Sequence, residues 1–257
     1  MTTHMVIGDP HSKAGVSNER FTWAGRMAID LKPDVIICMG DFADMDSLCS
    51  YDKGKKDFEG RRYNQDIATA NEALEFFDAP IKEFNDGRKQ NRKAQYRPKK
   101  YMLGGNHEER INRAVQVAPE LDGVIGLGNL DFKKYGWETV PYTIPVEVDG
   151  IHYCHNFPSG VRGEAISGLN IAQSLLAKMM VSCTVGHIHT LDMAIRSRPS
   201  GEKVFGLSAG CFFNHHENYA KNTQYLWWRG IIMKKNVRQG VYDIETVSMS
   251  EIERQYA

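Results

Sequence analysis

The chain contains the stretch Val35-Ile36-Ile37-Cys38-Met39-Gly40-Asp41-Phe42-Ala43-Asp44, in which an apolar run leads into a glycine and two carboxylates. An uninterrupted apolar run of this length is typical of a strand that is buried on both faces, as the strands of parallel sheets are. A short apolar run over His4–Gly8 and an amphipathic pattern over Phe21–Leu31 come before it. The order of strand, helix and strand predicts a parallel start to an α/β fold.

The second half of the chain carries more strand patterns. Asp149-Gly150 lies between two alternating runs and predicts a hairpin turn. Residues Gln173–Met180 have a helical pattern. The runs that predict further strands are Tyr101–Leu103, Tyr142–Val148, Ile151–Cys154, Val181–Val185, Val204–Ser208, Trp228–Met233 and Val241–Val247. This order favours a mixed sheet with helices on its faces.

Residues 45–100 break this pattern. Apolar side chains recur at helical spacing over Asn64–Phe84, where Pro80 is expected to kink or interrupt the helix. The following segment, Arg88–Lys100, contains seven Lys or Arg residues and no acidic residue, and it is called the basic segment below. We predict a single domain over residues 1–257, with residues 45–100 as a helical, basic insertion on its rim.

Composition and charge limit the class of protein. With 257 residues, 42% of them hydrophobic and 25% charged, the chain has the composition of a globular protein. Its 32 basic and 32 acidic residues cancel, so only local patches could attract a polyanion. The apolar runs are far shorter than the about 20 residues of a membrane-spanning helix, and the amino terminus lacks a secretion signal. Five cysteines without CxxC spacing are typical of reduced thiols, so we expect a soluble, cytoplasmic protein without a membrane partner.

Five short segments that each follow a predicted strand present side chains that bind metals. They are Asp9-Pro10-His11, Gly40–Asp44, Gly105–Glu108, His155-Asn156 and Gly186–His189. Strand ends are where α/β sheets form their sites. A mixture of carboxylate, amide and imidazole ligands suits divalent manganese, iron or zinc better than calcium or magnesium, whose ligands are nearly all oxygens. Each segment alone is a weak signal, but five in this order indicate a metal centre.

The order D-x-H, GDxxD, GNHE, H and GHxH resembles the calcineurin-like metallophosphoesterase superfamily, which includes protein phosphatases, cyclic-nucleotide phosphodiesterases and nucleases of the SbcD type. The matching motifs span residues 9–189. The resemblance is strongest to the compact members found in bacteria and bacteriophages. It implies an α/β four-layer sandwich, in which two mixed β-sheets are flanked by helices.

The resemblance also implies a ligand set for two divalent metal ions. We expect manganese first, with iron, zinc or nickel as alternatives. The first metal would be held by Asp9, His11 and His189, the second by Asn106, His155 and His187, and both would be bridged by Asp41. The family usually has glycine where this chain has Asn156, so His152 competes with His155 as the ligand of the fourth motif. We prefer His155, because it follows the predicted strand whereas His152 lies within it.

The same resemblance implies that a hydroxide bridging the metals attacks the phosphorus and that His107 protonates the leaving oxygen as a general acid. The alternative role for His107 is to orient a ligand from behind. We expect Asp44 and Glu108 to support the ligands in that way, although both could instead cap the helices that follow them.

Three functions fit these motifs. The first is a phosphodiesterase or nuclease that acts on nucleic acid or nucleotides. A phosphomonoesterase acting on nucleotides or phosphoproteins is the alternative, and a non-catalytic scaffold would need to have lost ligands that are all present here. Candidate substrate contacts are Arg92, Lys93 and Arg97 of the basic segment and His215. The alternative without a function is a solvated charged surface for the basic segment and an exposed loop residue for His215. The sequence indicates no oligomeric state.

Overall fold

The computed structural model describes residues 1–257, apart from the side chain of Tyr219. The strands are, in chain order, β1 (Thr2–Ile7), β2 (Val35–Cys38), β3 (Lys99–Leu103), β4 (Trp137–Val140), β5 (Val146–Val148), β6 (Ile151–Cys154), β7 (Pro158–Ser159), β8 (Glu164–Ala165), β9 (Cys183–Val185), β10 (Leu191–Ser197), β11 (Lys203–Ala209), β12 (Gly230–Arg238) and β13 (Val241–Ser248). The α-helices are α1 (Glu19–Leu31), α2 (Tyr63–Gln90), α3 (Glu109–Val117), α4 (Ile171–Met179) and α5 (Met249–Tyr256). Short 3-10 helices lie at Asp46–Leu48, Ser50–Asp52, Lys56–Phe58, Pro119–Leu121, Leu127–Asn129 and Asn218–Leu226.

Two mixed sheets form the body of the structure. The first has the strand order β13-β12-β1-β2-β3-β4, with β1 to β4 parallel and β12 antiparallel to both of its neighbours. The second has the order β10-β11-β9-β6-β5, in which β6, β9 and β11 are parallel. The predicted α/β fold with two mixed sheets is therefore confirmed. Among the described residues, no helix combines the length and the apolar character that a membrane span requires.

The two sheets share a core, and helices cover their outer faces. Successive residues of β2 point to opposite sides: Ile36 packs in the core beneath α1 and α2, and Ile37 packs in the core between the sheets. Phe21 and Phe77 bring α1 and α2 into the first of these cores. Helix α4 packs against the second sheet at β10 and β11. Strand β2 is thus buried on both faces, which explains why its sequence is apolar without alternation.

Most of residues 45–100 form α2, which packs along α1. Gly25 permits their close approach, because a Cβ atom at this position would lie 2.3 Å from the carbonyl oxygen of Phe77. Helix α2 continues through Pro80 to Gln90, so the expected interruption at Pro80 does not occur. The buried side chains of Phe77 and Ile81 on either side of the proline hold the helix against the core, which offsets the lost backbone hydrogen bond.

The basic segment lies at the edge of the first sheet where β2 and β3 begin. The backbone N–H of Lys99 donates to the carbonyl oxygen of Asp34 at 3.0 Å, and Asp34 immediately precedes β2. The Tyr96 hydroxyl donates to the carbonyl oxygen of Pro33 at 2.9 Å. Because β1, β2 and β3 are parallel, this edge is opposite to the one where their carboxyl ends meet.

Several elements differ from the sequence prediction. The strand predicted over Tyr142–Val148 is limited to Val146–Val148, since Pro141 and Pro145 cannot donate to a ladder. Strands β4 and β10 and helix α5 were not predicted. The sequence does carry a signal for α5, because Ser248 is followed three residues later by Glu251, which is the spacing of a helix capping box. In the structure, the hydroxyl of Ser248 accepts a hydrogen bond from the backbone N–H of Glu251.

A lysine without a carboxylate partner lies in the core between the sheets. Lys234 is fully buried, and its Nζ donates to Thr184 Oγ1 and to Tyr153 Oη. The ammonium also lies 4.5 Å from the ring centres of Tyr153 and Tyr242. Burial places the pKa of Lys234 well below its usual range. The neutral amine is therefore favoured in the folded protein much more than in the unfolded chain.

Replacement of this lysine should change how stability depends on pH. A pKa that is lower in the folded state means that the unfolded chain binds the extra proton, so wild-type stability should rise with pH by up to about 1.4 kcal/mol per pH unit. Lys234→Met removes this contribution. Urea unfolding at pH 7 and pH 9 should show the wild type gaining stability relative to the variant at the higher pH. A constant difference between the two proteins would show that the buried lysine keeps its proton.

Candidate metal centre

The side chains predicted as ligands meet at the carboxyl ends of the parallel strands. They follow β1, β2 and β3 of the first sheet and β6 and β9 of the second. We call them the ligand cluster: Asp9, His11, Asp41, Asn106, His155, His187 and His189. Since both sheets end their parallel strands at this edge, residues far apart in the chain converge there.

One set of ligand atoms comes from Asp9, His11 and His189, which lie within 4.8 Å of one another. His189 Nε2 is 3.1 Å from Asp9 Oδ2. Asp9 Oδ1 and His11 Nε2 are both buried and lack a hydrogen-bond partner in the described structure. Buried polar atoms without a partner are rare, and two in one set indicate that a bound group completes the site.

A second set comes from Asp41, His155 and His187, again within 4.8 Å of one another. Asn106 Oδ1 adds an amide oxygen, 3.0 Å from His155 Nε2. Asp41 Oδ2 lies 3.3 Å from His155 Nε2 and 3.9 Å from His11 Nε2. A single carboxylate oxygen therefore faces both sets.

The structure brings His155, and not His152, into the ligand cluster. His155 Nδ1 lies 2.8 Å from the carbonyl oxygen of Met39, which fixes Nδ1 as the donor and turns Nε2 towards Asp41. His152 pairs with Cys183 near the start of β6, whereas His155 follows the end of this strand. The structure thus places the two histidines at different positions along β6.

The backbone at the cluster is strained. His11, Asp41, His187 and His189 all have positive φ values, between 43° and 68°, which non-glycine residues rarely adopt. Strain of this kind persists where the surrounding structure requires it, most often at functional sites. Here it turns the chain sharply after the strands that precede these four residues, at the edge where both sheets end.

Two motif glycines are required for close approach. A Cβ atom on Gly105 would lie 2.1 Å from Asp41 Oδ1, and one on Gly186 would lie 2.5 Å from Asp9 Oδ1. Any side chain at these positions would displace a ligand carboxylate. Neither glycine has a positive φ, so these positions require glycine for space and not for backbone conformation.

Glu108 holds the loops of the cluster together from below. Its carboxylate accepts hydrogen bonds from the backbone N–H groups of Asp41, Ala43 and Gly105, at 3.1, 2.8 and 2.8 Å. Glu108 immediately precedes helix α3, but its side chain makes no capping hydrogen bond to that helix. Burial and the neighbouring Asp41 carboxylate raise the pKa of Glu108 to about 7.

Asp44 connects two histidines. Its Oδ1 lies 2.8 Å from His11 Nδ1 and 2.9 Å from His107 Nδ1. The carbonyl oxygen of Asp44 also lies 2.7 Å from His107 Nδ1. These contacts fix His107 Nδ1 as a donor, so the Nε2 edge of the ring faces Asp41 and the open side of the cluster.

The charges at this edge fit a divalent cation. Asp9, Asp41, Asp44 and Glu108 are each at most 3% exposed, although burial of carboxylates is costly unless positive charge compensates. Burial alone would lower the pKa of His155, but the carboxylates of Asp41 and Asp9 outweigh it and raise that pKa to about 10. A bound cation would supply the charge that this proton supplies otherwise. The donors are carboxylate, amide and imidazole groups, which suit a borderline divalent metal.

Beside the cluster lies a cleft of about 590 Å³ that contains residues the sequence analysis missed. Lys13 Nζ contacts the carboxylates of Asp44, Asp46 and Glu217 at 2.9 to 3.2 Å. Arg110, on the first turn of α3, donates to His107 Nε2 at 3.1 Å. The spacing of three residues between His107 and Arg110 is a signal that could have found the latter, because a single turn joins them: the backbone N–H of Arg110 donates to the carbonyl oxygen of His107 at 3.1 Å.

The candidate substrate contacts are not part of this cleft. Arg92, Lys93 and Arg97 belong to the basic segment at the opposite edge of the sheet. His215 is half-buried and stacks on Phe213, while its Nε2 lies 2.8 Å from Glu217 Oε1. The structure therefore places the three basic side chains away from the ligand cluster, whereas His215 lies one ring away from it, because Phe213 also packs against His11 and His189.

Buried carboxylates and imidazoles meet at the shared edge of two mixed sheets, an arrangement that is typical of the active site of a metal-dependent hydrolase. A family model described as calcineurin-like phosphoesterase matches residues 3–241, so the chain belongs to that family. The protein is a metal-dependent phosphoester hydrolase, as the motifs predicted.

A solved structure of Yfce, a phosphoesterase from E. coli, is 10% identical to this chain, with a TM-score of 0.38, and the match covers 96% of this chain and 99% of that one. No curated protein sequence matches the chain.

The two histidines near β6 provide a matched test of the metal centre. His155→Ala should lower the metal content of the purified protein from two ions per chain and reduce hydrolysis by more than about 100-fold, since a ligand of the cluster is lost. His152→Ala removes the same imidazole outside the cluster and should leave both values unchanged. Elemental analysis after manganese loading measures the first quantity. Equal metal content in both variants would contradict the assignment of His155.

Proposed function

We propose that the chain hydrolyses phosphodiesters at a pair of divalent cations, with manganese first and iron, zinc or nickel as alternatives. The observation that carries this proposal is Asp41 Oδ2, which faces the ligand atoms of both sets. One cation would be held by Asp9, His11 and His189, the other by Asn106, His155 and His187, and Asp41 would be shared. When bound, such a pair polarises the phosphoryl group and lowers the pKa of a water molecule towards neutrality.

In this proposal, His107 delivers a proton to the leaving oxygen. The contact of its Nδ1 with Asp44 orients the ring and leaves Nε2 as the only nitrogen that can reach a substrate. His107 Nε2 is 3.9 Å from Asp41 Oδ2, so a substrate between the shared carboxylate and the cleft would lie beside it. Asp44 and Glu108 act on the ligands and on His107 through hydrogen bonds and touch no substrate.

A diester fits the charges of the cleft better than a monoester. Lys13 is committed to three carboxylates, and Arg61 lies 2.9 Å from Asp52 and 3.7 Å from Asp46. Few cations therefore remain to balance a phosphoryl group. A phosphodiester carries one negative charge, whereas a phosphomonoester carries almost two near neutral pH. The cleft, which His107 helps to line, has a volume of about 590 Å³ and can hold a second ester group.

Nucleic acid is the substrate class that we propose for this diesterase, in the compact nuclease-like subgroup of the family. The basic segment can contribute only to a long substrate, because β3 (Lys99–Leu103), roughly 13 Å long at the usual strand rise, and the loop after it lie between the far edge and the cluster. A dinucleotide cannot contact both. A single strand of about 20 nucleotides can, and its binding should then depend on salt.

We also propose that residues 1–257 form one domain in which residues 45–100 are an insertion. Support comes from α2, whose side chains Leu74 and Phe77 lie in the same core as Ile36 of β2. A cytoplasmic location is supported by the five cysteines, all of which are buried and free.

Comparison of a diester with its monoester tests the substrate class. With manganese, bis-p-nitrophenyl phosphate should be hydrolysed with a larger kcat/KM than p-nitrophenyl phosphate. A reversed preference would replace the diesterase proposal with a phosphomonoesterase.

Contact of the basic segment with nucleic acid is tested separately. The triple variant R92Q/K93Q/R97Q should lose affinity for a strand of about 20 nucleotides, with unchanged turnover of a dinucleotide. The slope of log affinity against log salt concentration, called the salt slope here, should become smaller by about two. An unchanged salt slope would exclude the basic segment as a contact.

The role of His107 predicts a dependence on the leaving group. His107→Ala should retain its metals and slow the hydrolysis of an alkyl ester by about 10² to 10⁴-fold, because the leaving alkoxide needs a proton. With a nitrophenyl ester, the loss should be much smaller, since nitrophenolate leaves without one. Initial rates with both esters measure the difference. Equal losses would assign His107 to the orientation of a ligand instead.

A further inference from the structure

We infer that Arg110 binds the phosphoryl group of the substrate, and that its guanidinium occupies His107 Nε2 only while the cleft is free of substrate. This inference rests on the proposed hydrolysis of phosphodiesters at the ligand cluster. It concerns a side chain outside that cluster, on the first turn of α3.

The contacts of Arg110 place a donor at the centre of the cleft. Nη1 donates to the carbonyl oxygen of Asp44 at 2.9 Å and to that of Met45 at 3.3 Å. These two bonds hold one side of the guanidinium plane against the loop after β2. Nη2 extends beyond them and reaches His107 Nε2 at 3.1 Å. The group is therefore anchored at one nitrogen and free to exchange its partner at the other.

Charge distinguishes Arg110 from the cations of this cleft that contact carboxylates. Lys13 and Arg61 contact carboxylates, which neutralise them. The hydrogen bonds of Arg110 go to two carbonyl oxygens and one imidazole nitrogen, and the described structure shows no carboxylate in contact with it. Its positive charge is thus available for an anion. One such charge matches the single charge of a phosphodiester, and the guanidinium fork matches two oxygens on one phosphorus.

The contact with His107 shows where the phosphoryl oxygen would bind. A guanidinium has only donors, so His107 Nε2 can meet it only as an acceptor. While this contact exists, Nε2 has no proton to give to a leaving oxygen. A phosphoryl oxygen beside His107 is a stronger, charged acceptor for Nη2, and by taking over this donor it would also free Nε2. The same exchange thus binds the substrate and removes Arg110 from the nitrogen of His107 that faces the leaving oxygen.

Kinetics of two Arg110 variants test this inference. Arg110→Ala should raise KM for bis-p-nitrophenyl phosphate by about 10- to 100-fold, the usual effect of a lost charge-assisted hydrogen bond, with a smaller change in kcat. Arg110→Lys should recover part of the loss, because it keeps the charge and loses the fork. Free guanidinium at millimolar concentration should partly rescue Arg110→Ala. Inorganic phosphate should inhibit the Ala variant more weakly by a similar factor.

A matched control separates binding from general electrostatics. Arg62 lines the same cleft, and its Nη1 donates only to a backbone oxygen, that of Arg61. Arg62→Ala removes the same charge without contact to His107, so its KM should stay within about twofold of wild type. Metal content and the urea midpoint of each variant show whether the centre stays assembled. Should the Ala variant not fold, the Lys variant carries the test.

Three outcomes would overturn the inference. The first is a loss of kcat with unchanged KM and phosphate inhibition, which would mean that Arg110 only supports the loop after β2. The second is an equal rise of KM in Arg62→Ala. The third is that calorimetry with inorganic phosphate and the manganese-loaded protein gives the same Kd for wild type and Arg110→Ala. The third experiment needs no turnover, so it tests Arg110 even if the wild-type chain does not hydrolyse the diester.

Discussion

Everything at the functional edge of this protein depends on the burial of four carboxylates, Asp9, Asp41, Asp44 and Glu108, at the ends of parallel strands. Carboxylates are costly to bury, and each one here is compensated differently. Glu108 accepts three backbone N–H groups, and Asp44 is surrounded by two imidazoles and Lys13. Asp9 and Asp41 lack lysine or arginine contacts in the described structure and face imidazoles instead. Divalent cations are the compensation that their geometry favours.

The two-sheet architecture makes this concentration of charge possible. Strands β1, β2 and β3 of one sheet and β6 and β9 of the other end at one edge, so five short loops provide ligands without leaving the core exposed. Each loop follows a buried strand that cannot slide, and positive φ values at His11 and Asp41 give the loops shapes that few residues adopt. The strained backbone conformations lower stability locally, and the packing of both cores offsets this cost. The ligand atoms are therefore held in place before any metal binds.

In the proposed mechanism, the pairing of charges in the cleft also determines which substrate is preferred. Lys13 and Arg61 in the cleft are paired with carboxylates, which limits the attraction of the cleft for dianions. Arg110 is anchored by carbonyl oxygens, so its charge remains available beside His107. The proposed acid and a cation without a carboxylate contact in the described structure thus lie in contact with each other, and both line the cleft.

The sequence by itself determined the order of the first strands and helix, the hairpin at Asp149-Gly150 and the segments that carry the ligands. These signals are local, because apolar periodicity, turn residues and motif spacing each act over a few neighbouring positions. Only the tertiary structure decided between His152 and His155, moved the basic segment to the far edge, and brought Arg110 to His107. Those outcomes depend on strand direction and on the length of α2, which carries the chain from the cluster back to the start of β2. No local pattern encodes such a path, because side chains meet across sheets and helices that the whole fold must first bring together.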